Sequence, residues 1–344
     1  MPQESFSSSF FNCLSVIREP AAGLGLALCA LAGLLAPTAS GAQELRTLTD
    51  DAGVPVTFPA APQRIVTLHD SQLTIPLIEL GVLPAGSHGR VNEADGSPFI
   101  RSGMILTGTD FANAPIEWVG DYPADIELIA AAAPDLIITT EWNEVPAEQL
   151  RQIAPTVVID TSARSRDDIY DFLAELAGQE AKETLARLRA RYQAQIDQIK
   201  LVVDDPAATT VTTFQVRDGT ISAMHTYGNL GQVLRDAGFS QPDIIGTIPV
   251  GGSSQFSIES LPEFDADVIF ATYNTGWGNG LPAEKELYLS SVPGFCEQMF
   301  ACREGQMFFI PRDEAFSMSF DALGMTAYAV LALLAGQEIA TQDE

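Results

Sequence analysis

The chain has 344 residues, of which 46% are apolar and 18% charged, and a formal net charge of −27 at pH 7. That supplies material for a sizeable core and length for two domains, while so acidic a balance excludes nucleic acid as a natural partner, which calls for clustered Lys and Arg. Any anionic ligand has to be captured by local cations, because salt confines charge effects to about 8 Å.

The first 42 residues read as a secretory signal. Arg18 precedes sixteen apolar or small residues, 21–36, fewer than the roughly 20 needed to span a bilayer. Ser40 and Ala42 suit a signal-peptidase cut before Gln43; a retained anchor is the competing reading. Leu28 is bulky for the residue before a lipid-bearing cysteine, so Cys29 is not expected to carry a tether. The sequence thus predicts a free protein of the periplasm with no stable membrane insertion after cleavage. Cys13 and Cys29 leave with the signal. The remaining pair, Cys296 and Cys302, reads as a disulfide closing a short loop in an oxidising compartment. A metal pair is the alternative, with no further cysteine to complete a thiolate site.

Residues 64–68 (RIVTL) read as a buried strand, 75–81 (IPLIELG) as a helix, and 82–88 (VLPAGSH) as a second strand entering a polar loop. Helix and strand then alternate: DIELIAAAA and PDLIITT, VPAEQLRQIA and PTVVID. From Asp167 to Val203 runs a long helical stretch. Leu185, Leu188, Tyr192, Ile196, Ile199 and Val203 step by three and four, an amphipathic pattern, and the segment after Gly178 would reach roughly 36 Å. Its cations, Lys182, Arg187, Arg189 and Arg191, read as a solvated face. The strand-helix grammar restarts with TVTTFQV (210–216), then NLGQVLRDAG, IESLPEFDADVIFAT, MFFIP and a C-terminal helix, ALGMTAYAVLALLAG. Near-continuously apolar strands between helices predict mostly parallel sheets covered on both faces. Ile126-Glu127, Asp135 and Thr140 recur as Ile258-Glu259, Asp267 and Thr272 at one constant offset. One chain therefore holds two similar, Rossmann-like α/β lobes: a signal over 1–42, lobes over 43–165 and 204–344, and a helical segment over 166–203 that includes one long interlobe helix.

The motifs PQRIVTL, GVLPAG, ADIELIAAAAPDLIITT and IESLPEFDADVIFAT, with the crossing helix and the C-terminal helix, resemble the periplasmic substrate-binding proteins of iron–siderophore and vitamin B12 ABC importers. The likeness runs over essentially the whole mature chain. It implies two lobes on one long helix, a ligand cleft between them, limited hinge motion, and a monomer that docks on an inner-membrane permease dimer. It also implies that Glu127 and Glu259, one per lobe, enter arginine pockets of the two permease subunits. Read without the family, each glutamate sits early in a helix, where a carboxylate complements the helix dipole.

Open α/β sheets bind ligands beyond the carboxyl ends of their strands, which picks out the candidates. Trp142, Arg217, Tyr273 and Trp277 come first, then Arg90 and Arg312, with Tyr227 and His69 beside them. Arginines give charge-assisted bonds to carboxylate, catecholate or hydroxamate oxygens and indoles offer flat apolar area. The set suits an Fe(III)–siderophore chelate as cargo, with no cofactor. Haem or cobalamin, or direct zinc or manganese binding through His69, His88 and His225, are the alternatives. An enzyme is a remote one. TGWGNGL (275–281) has Leu281 where a dinucleotide loop needs its third glycine, and three histidines leave little for general-base work.

Overall fold

The computed structural model describes residues 44–274 and 280–342; the segment read as a secretory signal and Trp277 fall outside them. A hairpin opens the chain, β1 (Leu45–Thr49) paired antiparallel with β2 (Pro55–Pro59). The strands β3 (Ile65–Thr67), β4 (Gly86–Ser87), β5 (Arg90–Val91), β6 (Pro98–Phe99), β7 (Glu117–Trp118), β8 (Leu136–Thr140) and β9 (Thr156–Ile159) follow. Five of them make an all-parallel sheet in the order β7-β4-β3-β8-β9, while β5 and β6 form a small antiparallel ribbon.

The second half holds β10 (Val211–Thr212), β11 (Phe214–Arg217), β12 (Thr220–Met224), β13 (Ser253–Ser257), β14 (Val268–Tyr273) and β15 (Met307–Pro311). Its parallel sheet is β10-β14-β15, and β11-β12-β13 is an antiparallel meander. Two expectations are corrected here. TVTTFQV is not one strand: at Thr213 the chain leaves the parallel sheet and begins the meander. VLPAGSH (82–88) yields only the two-residue β4, because Pro84 has no N–H to give a ladder.

Side chains alternate across a strand, and both faces of each parallel sheet are covered. Leu136 and Ile138 of β8 share a core with Val268 and Phe270 of β14, whereas Ile137 joins one outer cluster and Ile269 another. The shared core is filled from the middle by the helices Arg166–Ala177 and Gln179–Val202. Ser165 and Asp168 form a capping box at the start of the first. The second has 24 residues, so it is about 36 Å long, and it buries Leu185, Tyr192, Ile196 and Ile199 as its spacing predicts. Its cations are more engaged than a plain solvated face. Lys182 pairs with Glu175, Arg189 with Asp167 and Asp171, and Arg191 with Asp321.

The sequence repeat is a structural repeat. Asp125 caps the helix Ile126–Ala131, its Oδ1 accepting from the backbone N–H of Glu127 at 2.8 Å. Ser257 caps the 3₁₀ helix Ile258–Phe264 in the same way, accepting from Glu259 N–H at 3.3 Å. Asp135 then receives the N–H groups of Gln63 and Arg64 at 2.7 and 2.9 Å, just ahead of β3. Asp267 receives Thr210 N–H at 2.7 Å, just ahead of β10. In both halves one carboxylate ties the chain entering the first parallel strand to the chain entering its partner.

A buried carboxylate also braces the halves. Glu79, ending the helix Ile75–Glu79, accepts from Ser319 Oγ, from Phe320 and Asp321 N–H at 3.0 Å each, and from the Tyr170 hydroxyl. It thus closes the N-terminus of the C-terminal helix Phe320–Leu334. Cys296 and Cys302 form a disulfide with Cα atoms 4.7 Å apart. Among the described residues no helix is long and apolar enough to cross a membrane.

Candidate functional site

In the first half the carboxyl ends of β3, β4 and β7 converge. His69 and Asp70 follow β3, His88 follows β4 and leads through Gly89 to Arg90, and Asp121 and Tyr122 follow β7. Arg101 reaches in from the segment after β6. Beneath them a run of buried hydroxyls, Thr67 to Thr74 to Ser87 at 2.6 Å each, locks the strand ends together.

Two glycines make this approach possible. A Cβ on Gly89 would overlap the Phe111 ring and come within 2.9 Å of Phe99 O. Gly120 has φ +108°, and a Cβ there would sit 2.6 Å from Asp125 N, so only glycine can turn the chain from β7 to Asp121 and Tyr122.

Asp70 is fully buried and organises the cations. Arg101 Nη2 lies 3.5 Å and Arg90 Nε 3.8 Å from its carboxylate, and Arg101 N–H donates to it at 3.3 Å. Arg90 also lies 3.8 Å from Asp121 and stacks over the Tyr122 ring at 5.2 Å. The His69 and His88 ring centroids are 6.2 Å apart, and Tyr122 meets His88 edge-on at 4.6 Å. His69 Nδ1 accepts from Gln72 N–H at 3.2 Å, which assigns the proton of the neutral ring to Nε2. His88 is 1% exposed, and neither of its ring nitrogens has a hydrogen-bond partner among the described residues.

Burial drives both imidazoles below their ordinary range, that of His69 from 6.5 to about 4, against the opposing pull of Asp70. Between these two values the unfolded chain holds more protons than the folded one. His69 therefore removes up to about 3 kcal/mol of stability as pH falls from 6.5 to 4, and nothing above that window. His69→Gln is expected to flatten this part of the profile in urea titrations at stepped pH. An unchanged slope would place its source elsewhere.

Trp142 stands at the exit of β8, 60% exposed. Its loop is held by Glu141, which accepts from Thr161 and Ser162 N–H at 2.8 Å, and by Asn143 Nδ2 donating to Leu68 O at 3.4 Å. The loop is thereby fixed over the end of β3.

In the second half, Arg217 ends β11 and makes two 2.8 Å bonds to the buried carboxylate of Glu284. It is thus fixed in place, with 39% of its side chain exposed. The Tyr227 hydroxyl bonds to Thr272 Oγ1 at 2.8 Å, and its ring lies 5.5 Å from Phe316, over which Arg312 stacks at 4.6 Å. Tyr273 is half-buried at the end of β14.

Strand-end reasoning thus brings Arg90 and His69 into one cluster, and Tyr227 and Arg312 into another. It misses Arg101, Asp121 and Tyr122. Asp121 and Tyr122 follow a strand of only two residues, and Arg101 follows a ribbon that carries no apolar run. The three histidines do not meet: His225 belongs to the second half, where its Nδ1 lies 3.3 Å from Thr226 Oγ1. Among the described residues no three His, Cys, Asp or Glu side chains are grouped to hold a metal ion.

Glu127 and Glu259 are both exposed. Each is the second residue of its helical turn, with the cap two positions before it.

Similarity to known proteins agrees with this architecture. The achromobactin-binding periplasmic protein of Dickeya dadantii is 26% identical over 218 residues, 61% of this chain and 66% of that protein. The ferric enterobactin-binding periplasmic protein FepB of Escherichia coli O6:H1 is 30% identical over 207 residues, 57% and 61% of the two chains. The chain thus spans about two thirds or less of either relative's length. The solved structure of Staphylococcus aureus SirA complexed with staphyloferrin B superposes with a TM-score of 0.66 at 20% identity, covering 84% of this chain and 98% of that one, which identifies the two-lobed fold. The model of the family described as periplasmic binding protein matches residues 107–312, more than half of the sequence, and the chain belongs to that family.

Proposed function

We propose that this protein captures an anionic ferric siderophore between its two halves, outside the cytoplasmic membrane, and delivers it to an ABC importer permease. The reading is carried by the pairing of guanidinium and aromatic groups at parallel-strand ends in each half: Arg90, Arg101 and Tyr122 in one, Arg312 and Tyr227 in the other. Planar guanidinium groups suit the oxygens of carboxylate or catecholate chelators, and the exposed Trp142 adds a flat apolar wall. Two relatives are named for achromobactin and ferric enterobactin, which points the same way. Iron enters here as cargo, held by its chelator. The task proposed is binding and presentation.

Tryptophan fluorescence tests this directly. Ferric enterobactin or ferric citrate is expected to quench emission, with a dissociation constant between about a micromolar and a nanomolar. Arg90→Ala and Arg101→Ala are each expected to weaken binding about 10- to 100-fold, the worth of a bond to a charged group. Unaltered emission with both chelates would remove the siderophore reading.

A further inference from the structure

The cluster in the first half is electrically balanced without a ligand. Arg90 and Arg101 face Asp70 and Asp121, and the two imidazoles between them are buried. An incoming anion therefore meets no surplus positive charge unless a proton comes with it. His88 is placed to take one. Both its nitrogens are buried and unpartnered among the described residues, with Asp121 Oδ1 3.8 Å from Nε2. A neutral ring leaves a buried lone pair facing no donor, whereas an imidazolium has two donors to offer.

We propose that loading this site with an anionic chelate is coupled to proton uptake by the His69–His88 pair, so that cargo is held more tightly in acid. This rests on the siderophore reading of the same site. The groups facing the pair come from every element around it: Asp70 and the Gln72 N–H after β3, Arg90 on β5, Arg101 after β6, and Asp121 and Tyr122 after β7. Of these only the two aspartates favour the charged rings, and each is shared with an arginine. A ligand anion that engages the arginines frees that attraction for the imidazoles and adds its own.

The sign follows from burial, which keeps both rings neutral in the empty protein at neutral pH. An anion raises their proton affinity. Between the empty and loaded values the complex holds more protons, and affinity rises as pH falls, up to about tenfold per unit for each proton gained. Above the loaded value it is flat.

Calorimetry of the purified protein with ferric enterobactin at about pH 6, in cacodylate and in MES, counts the protons, because the observed heats differ by the buffer's own ionisation. A net uptake is expected, reduced or lost in H69Q and H88Q, which subtracts any titration of the chelate itself. Tight binding with equal heats in both buffers, or an affinity flat between about pH 5.5 and 8, would overturn the coupling and leave the siderophore reading standing. The wild-type pH series decides this even if a variant fails to fold. No binding of ferric enterobactin or ferric citrate at any pH would overturn both.

Discussion

Glu79→Ala is expected to cost the fold about 3–5 kcal/mol, the loss associated with removing one partner from a buried charged network. The carboxylate receives four donors at once: Ser319 Oγ, the N–H groups of Phe320 and Asp321, and the Tyr170 hydroxyl. Truncation leaves these buried, and the first turn of the Phe320–Leu334 helix loses the acceptor for two of its N–H groups and a negative charge at its positive end. Burial raises the Glu79 pKa while the hydrogen bonds from Ser319 and Tyr170 pull it down. Glu79→Gln keeps the shape but turns an amide N–H₂ toward donors, so it should fall between wild type and Ala. Urea unfolding measures all three. An alanine variant within about 1 kcal/mol of wild type would mean that the halves are not braced here.

The second expected result concerns transport. Glu127→Arg combined with Glu259→Arg should leave chelate affinity within about twofold of wild type and abolish uptake, with each single reversal impairing it in part. Neither glutamate touches the ligand cluster, and both are exposed at the second position of a helical turn. Reversal there costs the fold about 1 kcal/mol or less per site through the dipole. The two positions share one local structure, from the cap before to the aspartate clamp after, so the double reversal tests the proposal that they present like carboxylates to a permease of two like subunits. Complementing a carrier-deleted strain and following labelled ferric siderophore decides the matter. Wild-type transport by the double reversal would reject these glutamates as the docking pair.

Much of this was legible from the residues because each signal rested on local physics. The duplicated phrase is visible because capping and clamping need particular side chains: Asp or Ser before the turn, Asp before the strand. The helix Gln179–Val202 is visible because its buried stripe is continuous. The break between β10 and β11 is not, since TVTTFQV holds no turn residue, and although Val211 falls out of phase with Phe214 and Val216, it is the partners across the sheet that separate the two strands. The site was half legible. Arg90 follows the apolar run VLPAG and Tyr227 follows β12 closely, whereas Arg101 is brought in by Asp70, a contact across 31 positions that no local pattern encodes. Arg217 was found as a strand-end cation, but its clasp on Glu284 spans 67 positions and could not be foreseen.

Glu79 and Ser319 stand 240 positions apart along the chain, and this sets an order of assembly. The Asp135 clamp spans only 71 and 72 positions, so the first sheet can close once β9 has emerged. The brace has to wait until almost the whole polypeptide is available to fold. Until then Glu79 keeps its hydration shell, and the apolar surface around it is the last to be hidden. A chain cut short before Ser319 would therefore have its first sheet formed and a seam left open, the kind of surface that holding chaperones recognise.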